Sequence, residues 1–351
     1  MLNTIDPFEE FPYRAFPIEW TAPEHLAAVS LLHGGPRVVP ERSSVLELGC
    51  ANGANLLPMA WFRRDSRFVG MDGSARQVET AEQCRARLGL ENVRFVKADF
   101  QEAARFLEGP FDFVIVHCVF SWVSEEARGA LLDLCVQKLA TKGLLYLNYN
   151  SRPGWDIRGA VRKFLLKHTA GAGDLETRTR LSQEISARVI APLTRVQHHY
   201  TQLMANEFNL VRTQDPAYIA HEYLAPVNVA YWRSEFLELT AGWGLEYVAD
   251  ADFNSITQRS IDELTRLLEA EELSKPALDD SVDLLSYRQM HSPVMAHRGF
   301  ERVMPDDDEF AELFLATRLE AVDEEGHNPD FRHPNGTEVA VLDADTRAAL
   351  L

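Results

Sequence analysis

The stretch S-S-V-L-E-L-G-C-A-N-G-A-N, Ser43 to Asn55, decides the fold. Val45 to Leu48 is a short apolar run of the kind that forms a buried strand. Gly49 and Gly53 flank a tight turn, and Leu56 to Phe62 opens a helix. A strand, a glycine turn and a helix in succession form the entrance to a nucleotide-type site. Glycine there lets the backbone turn sharply and approach a ligand closely, and the helix start offers unpaired N–H groups. The spacing is G-x-x-x-G. It matches neither the dinucleotide G-x-G-x-x-G nor a P-loop, which needs a Lys-Ser/Thr pair after its last glycine.

Four further apolar runs follow at regular intervals: Arg67 to Met71, Val93 to Val96, Phe111 to Val116 and Leu144 to Tyr149. Helical stretches at 75–88 and 125–139 separate them. This alternation predicts a parallel sheet with helices on both faces, in which ligands bind beyond the C-terminal ends of the strands. Glu47, Asp72, Asp99 and His117 lie at or near such ends. Asp72 follows the glycine turn by about 20 residues, the placement of a carboxylate that accepts hydrogen bonds from ribose hydroxyls.

The combination V-L-E-L-G-C-A-N-G, then G-M-D-G-S, then A-D-F resembles class I S-adenosylmethionine-dependent methyltransferases. P-Y-R-A-F-P, A-P-E-H-L, V-F-S-W-V, N-Y-N-S-R-P-G-W and the later A-H-E-Y-L-A-P are similar to one bacterial subgroup, which carries a methyltransferase regulatory domain and includes rickettsial protein-lysine methyltransferases. The resemblance is dense over 11–169, resumes at 220–226 and thins after about 255. It implies a Rossmann-like α/β sheet of about seven strands, with a helical insertion after strand five. S-adenosyl-L-methionine is the implied cofactor. Glu47, Gly49, Asn52, Gly53, Asn55, Asp72, Gly73, Asp99, Phe100 and His117 are its candidate ligands. Glu47 looks toward the methionine amino group, Asp72 toward the ribose, and Asp99 with Phe100 toward the adenine. The implied acceptor is a peptide or protein amine, lysine above all. A small metabolite or biosynthetic peptide is the alternative, and a non-catalytic cofactor-binding regulator is the rival from another class.

Candidate catalytic or acceptor-site residues are His117, Trp122, Tyr149, Glu222, Tyr223 and Tyr13. His117 follows the fourth strand, where a base or a methionine contact would sit. Ser121 and Trp122 follow it closely, and a tryptophan face attracts an alkyl-ammonium. Asn148, Tyr149 and Asn150 end the fifth strand, with Tyr149 a partner for an amine; Arg152 departs from the subgroup's usual residue. Glu222 is a candidate to orient the amine. Tyr13 lies in a proline-broken aromatic arm that covers the site in the resemblance.

Domain organisation reads as follows: 1–42, an aromatic arm and helix; 43–155, the cofactor core; 156–215, a helical insertion or lid; 216–300, the rest of the fold; 301–351, a small segment resembling the start of a regulatory domain. Thr21 reads as a helix N-cap, Tyr231 to Ala241 as a helix and Leu245 to Ala249 as a late strand. A last strand is expected within 286–295 despite Pro293, and a helix over Arg259 to Leu268. Phe314 to Val322 and Val339 to Leu342 are expected to pair through the polar loop 324–336.

With 351 residues, 46% of them hydrophobic, the chain can bury a large core. A net charge of -18 argues against a nucleic-acid partner, whose binding rests on neutralising phosphates. It serves solubility and suits a basic acceptor equally well. Cys50, Cys84, Cys118 and Cys135 form no C-x-x-C pair, so neither a structural metal nor a disulfide framework is expected. The segment His198-His199 lacks a third ligand at useful spacing. The absence of a signal sequence and of an apolar run near ~18 residues fits a cytoplasmic protein without a membrane span. Oligomeric state is not legible.

Overall fold

Alternate residues of the apolar runs face opposite sides of a sheet, and here they divide between two cores with that period of two. In the computed structural model, β1 (Ser44–Leu48), β2 (Arg67–Asp72), β3 (Val93–Lys97), β4 (Phe111–Val116) and β5 (Leu139–Leu147) are parallel neighbours in the order β3-β2-β1-β4-β5. Leu46, Leu48, Val69, Met71, Val114, Val116, Leu145 and Leu147 join one core with Leu131 and Leu132 of the helix Glu125–Lys138. Val45, Phe68, Phe113, Ile115, Leu144 and Tyr146 join the other, with Leu26, Leu56 and Ala81 from helices Pro23–Leu32, Leu56–Phe62 and Ala75–Arg87. The structure describes residues 11, 15–196, 198–252, 266, 268, 273–313, 320–321, 330–332 and 338–340.

The sheet is completed by β8 (Leu245–Asp250) and β10 (Pro293–His297), in the order β5-β10-β8, with β10 antiparallel to both neighbours. Seven strands are therefore present, as expected. Pro293 is tolerated because it is the first residue of its strand. The fifth run does not continue to Tyr149 in this sheet. It breaks at Asn148, whose side-chain oxygen accepts the Cys118 N–H at 2.6 Å. Tyr149–Ser151 (β6) then joins a small second sheet between β7 (Ala230–Tyr231) and β9 (Met290–His291). Tyr231 is thus in a strand, and the helix expected from it begins at Arg233.

The insertion after strand five is helical: Gly154–Thr169 (α6), Leu175–Arg195 (α7), His199–Thr213 (α8) and Pro216–Glu222 (α9). Its own core gathers Val161, Leu165, Phe208, Val211, Ile219 and Tyr223. Asp174 caps α7, accepting from Thr177 N–H, and Asp215 caps α9, accepting from Ala217 N–H. Ser74 caps Ala75–Arg87, accepting from Gln77 N–H. Thr21 does not cap Pro23–Leu32. Its hydroxyl turns back to the Ile18 carbonyl and the Asn55 amide, and Ala22 holds the cap position.

The chain divides into two compact units, one ending at Met304 and one starting at Pro305. In the second, β12 (Asp330–Arg332) pairs antiparallel with both β11 (Glu320–Ala321) and β13 (Glu338–Ala340). The expected connecting loop therefore contains the middle strand. Tyr13 and most of the helix expected over Arg259 to Leu268 lie outside the described residues.

A candidate donor and acceptor site at the strand ends

Backbone conformation sets the donor side. Gly49 and Gly53 have φ of +79° and +75°, the left-handed region that favours glycine. A Cβ on Gly49 would lie 2.3 Å from Val119 Cγ2, and one on Gly53 would lie 2.6 Å from the Phe95 ring. The turn is pinned by Gly49 and Cys50 N–H donating to the Met71 carbonyl at 2.7 and 3.0 Å. Asp72 completes it: Oδ2 accepts Ala51 N–H and Oδ1 accepts Ser74 N–H, each at 2.8 Å. One carboxylate thus joins the glycine turn to the start of the next helix. Gly73 is exposed and adjoins Asp99, also exposed at the end of β3, with Phe100 half-buried behind it. Asn52 folds into the turn, accepting Ala54 N–H at 3.2 Å.

Glu47 is 4% exposed. Its Oε1 accepts from Asn55 Nδ2 at 2.9 Å, while Oε2 has no hydrogen-bond partner among the described residues. Burial raises its pKa to about 7, against the Asn55 hydrogen bond and the nearby His117. Asn55 also accepts Ile18 N–H at 2.9 Å and donates to Thr21, so it fastens the N-terminal arm over this carboxylate. A buried carboxylate with one unmet oxygen is costly unless a cationic group reaches it.

His117, at the end of β4, places Nδ1 3.0 Å from the Tyr146 hydroxyl, with the two rings stacked. Burial lowers its pKa to about 4, opposed by the Glu47 charge. Burial thus favours the neutral imidazole and makes it a weaker base than a solvated histidine. Cys118 follows at φ +55° and is exposed.

The acceptor candidates separate into two groups. Trp122 is half-buried and packs edge-on against Trp155, with centroids 5.7 Å apart. Arg158 lies over the other side of that contact, 4.7 Å from the Trp155 ring and 5.9 Å from Tyr223. Its Nε donates to Glu207 Oε1 at 2.8 Å, and its Nη1 is 3.7 Å from Glu222 Oε2. Burial raises the Glu222 pKa to about 7, with Arg158 and Arg162 pulling it down and Glu207 pushing it up. Glu222 in turn lies within electrostatic reach of Cys118, raising its thiol pKa after the larger effect of desolvation. Trp122 closes the short helical turn Phe120–Trp122 that follows β4, and Glu222 acts on Cys118 at the end of that strand.

Two candidates fall elsewhere. Tyr223 is fully buried, and its hydroxyl donates to Glu207, so it supports the ion pair from inside the helical core. Tyr149 is 3% exposed and stacked on Phe236 at 3.8 Å, with His291 at 5.4 Å. Its neighbours are core rings, which makes it a packing residue rather than an amine partner. Ser121 is buried and occupied by Asn150 N–H. Arg152 lies 3.8 Å from Asp156, a partly exposed pair on the first turn of α6. Trp155, Arg158 and Glu207 are the groups sequence reasoning missed. The i, i+3 spacing of Trp155 and Arg158 placed them on one helix face, and that was the available signal.

A cavity of about 310 Å³ opens elsewhere, lined by Arg37, Glu41, Arg42, Asp112 and Lys142 at the N-terminal ends of the strands, opposite the glycine turn. Among the described residues no group of His, Cys, Asp and Glu is placed to hold a metal ion, and no helix is long and apolar enough to cross a membrane.

Residues 45–143 match a methyltransferase domain family, and residues 215–297 match a predicted methyltransferase regulatory domain. An uncharacterized protein of Rickettsia prowazekii is 31% identical over 251 residues, which is 72% of this chain and 45% of that protein. A second from the same organism is 26% identical over 231 residues, 66% of this chain and 92% of that one. The chain thus spans less than half the length of the first relative. PKMT2 from Rickettsia typhi, solved in complex with AdoHcy, has the same fold: TM-score 0.76 and 23% identity, covering 97% of this chain and 67% of that one.

Proposed function

We propose that the chain is a cytoplasmic S-adenosylmethionine-dependent methyltransferase acting on a peptide or protein amine, with lysine the favoured acceptor; the match to a methyltransferase domain followed by a predicted methyltransferase regulatory domain supports this reading. The observation that carries the donor assignment is the unmet Oε2 of buried Glu47 beside the glycine turn. An α-ammonium group at that oxygen would return Glu47 to its ionised form and satisfy it. Asp72, at the end of β2 beside the glycine turn, would hold the ribose hydroxyls. Asp99 and Phe100 would contact the adenine. These residue types fit the cofactor's amine, ribose and base in the order of the strand ends.

S-adenosylmethionine, when bound, supplies an electrophilic methyl group on a sulfonium whose leaving group is a neutral thioether. The chain's part is then positioning and proton management. An ammonium acceptor has no lone pair until it loses a proton. Glu222, with its pKa raised to about 7, is suited to receive and orient that amine at neutral pH. Trp122, braced by Trp155, provides an aromatic face for the alkyl chain and its charge. The Arg158–Glu207–Tyr223 network fixes Glu222 from behind. The resemblance of the sequence motifs to rickettsial protein-lysine methyltransferases, together with the fold shared with PKMT2, supports the acceptor class by analogy.

Calorimetry with S-adenosylhomocysteine tests the donor half. Wild-type protein should bind, and Asp72→Ala, folded by circular dichroism, should bind much more weakly. Equal affinity in the two proteins would remove Asp72 from the site.

A further inference from the structure

We infer that His291 is a positioning residue: clasped between two aspartates, it fixes β9 so that Met290 and Ser292 hold the end of β4, where His117 and Cys118 meet the transfer site. The inference rests on the methyltransferase reading of that site and gives the 215–297 segment a physical route to it.

Residues on either side of His291 reach the β4 end through one intermediary each. Met290 Sδ accepts from Asn148 Nδ2 at 3.1 Å, and Asn148 Oδ1 accepts the Cys118 N–H at 2.6 Å. Cys118 needs such support, because a non-glycine residue at φ +55° is held by its surroundings. Ser292 Oγ accepts from the Tyr146 hydroxyl at 3.4 Å, and that hydroxyl is 3.0 Å from His117 Nδ1. Asn148 and Tyr146 both lie at the end of β5, next to β4. A shift of β9 would therefore reach both residues at the end of β4.

The clasp itself is well defined. His291 is 3% exposed, with Nδ1 3.1 Å from Asp250 Oδ2 and Nε2 2.7 Å from Asp283 Oδ2. Asp250 Oδ1 also accepts the Ser292 N–H at 3.0 Å, so the same carboxylate grips two consecutive residues. An imidazolium donates from both ring nitrogens, whereas a neutral ring donates from one only. Loss of the proton therefore releases one of two buried carboxylates from the ring. The surrounding groups come from every packed element. Arg233 from the helix Arg233–Gly242 lies 3.8 Å from Asp250, and the Tyr247 hydroxyl of β8 lies 3.4 Å from it. Arg288 acts on Asp250 and donates to the Met290 carbonyl. Ser151 donates to Asp283, and the Tyr149 ring stacks on the imidazole. Both carboxylates contact the ring directly and favour its charged form, despite the burial that opposes it.

The Cys118 thiol, which accepts from Asn148 Nδ2 at 3.7 Å and is desolvated although the residue's surface is exposed, reports the state of the β4 end without any methyl acceptor. Its alkylation by iodoacetamide, followed by peptide mass mapping, is compared in the wild type, His291→Gln, Met290→Leu and Leu90→Ala. Leu90 is a buried residue of the opposite core face, so its variant controls for a general loss of stability. His291→Gln should speed Cys118 alkylation roughly fivefold at pH 7, the scale set by losing about one net hydrogen bond from a local opening equilibrium. Met290→Leu leaves the clasp intact and should also speed it, while Leu90→Ala should not. In the wild type, the rate corrected for thiolate fraction should climb as His291 deprotonates at rising pH, and His291→Gln should lack that step. If His291→Gln does not fold, Met290→Leu and Ser292→Ala carry the comparison. Unchanged Cys118 rates in the folded variants, or an equal increase in Leu90→Ala, would overturn the inference. Parallel calorimetry with S-adenosylhomocysteine separates the two failures: a wild type that does not bind it refutes the methyltransferase reading, whatever Cys118 does.

Discussion

Binding of S-adenosylhomocysteine should expel a proton from Glu47. The pKa of this carboxyl is raised from 4.5 to about 7 by burial. At pH 6 about 0.9 of the side chains then carry a proton. Pairing with an α-ammonium group restores the ionised form, so close to one proton should leave per binding event. Calorimetry in buffers of different ionisation enthalpy counts that proton. Glu47→Gln keeps the size and the acceptor for Asn55 but removes the charge. It should abolish the release and weaken binding roughly 10- to 100-fold, the worth of one charge-assisted hydrogen bond. The same substitution should flatten a stability slope. An acid with a raised folded pKa holds its proton in the folded state over a range where the unfolded chain has lost it. Stability therefore falls as pH rises from about 4.5 to about 7, by roughly 3 kcal/mol at most for a shift of this size. Glu47→Gln should remove that fall. Full affinity in Glu47→Gln together with an unchanged proton count would refute the pairing of Glu47 with the donor's amine.

Gly49→Ala should destabilise the fold by about 1–3 kcal/mol and impair donor binding, since its Cβ meets Val119 Cγ2 at 2.3 Å on a left-handed backbone; thermal melts and calorimetry check both. Glu222→Gln should lower transfer to a lysine peptide about a hundredfold, the low end for a positioned proton acceptor, while leaving S-adenosylhomocysteine affinity within about twofold. His291 has its pKa raised by Asp250 and Asp283 against desolvation. Its contribution to stability is therefore fully present below its unfolded pKa and fades as pH rises through the folded one. Melting temperatures of the wild type should converge on those of His291→Gln toward alkaline pH.

The strand, glycine turn and helix start of the candidate donor side were legible in the sequence because they are local. A strand, a glycine turn and a helix start follow one another within 43–62, and Asp72 ends the next apolar run. Strand β10 was legible only in part: it was expected within 286–295 with Pro293 counting against it, whereas it runs Pro293–His297 and Pro293 begins it. The acceptor half depends on contacts between distant segments. Tyr149 ends an apolar run and so read as a site residue, but Phe236 and His291, far along the chain, take its ring into the core. The same distance hid the bracing of Glu222 by Arg158 and of Tyr223 by Glu207. The small sheet β6-β7-β9 escaped notice because two of its strands have only two residues each, too short for any periodicity to register.

The central claim is transfer of a methyl group to a peptide amine, and the most direct measurement is location of that group. The purified chain is incubated with isotopically labelled S-adenosylmethionine, a library of lysine-containing peptides and a small-molecule extract, and every product is sequenced by mass spectrometry. The prediction is label on lysine Nε, dependent on Glu222 and lost in Asp72→Ala. Label confined to a hydroxyl or carboxylate of a small molecule would contradict the amine assignment, and a chain that binds the donor but labels nothing would contradict catalysis itself.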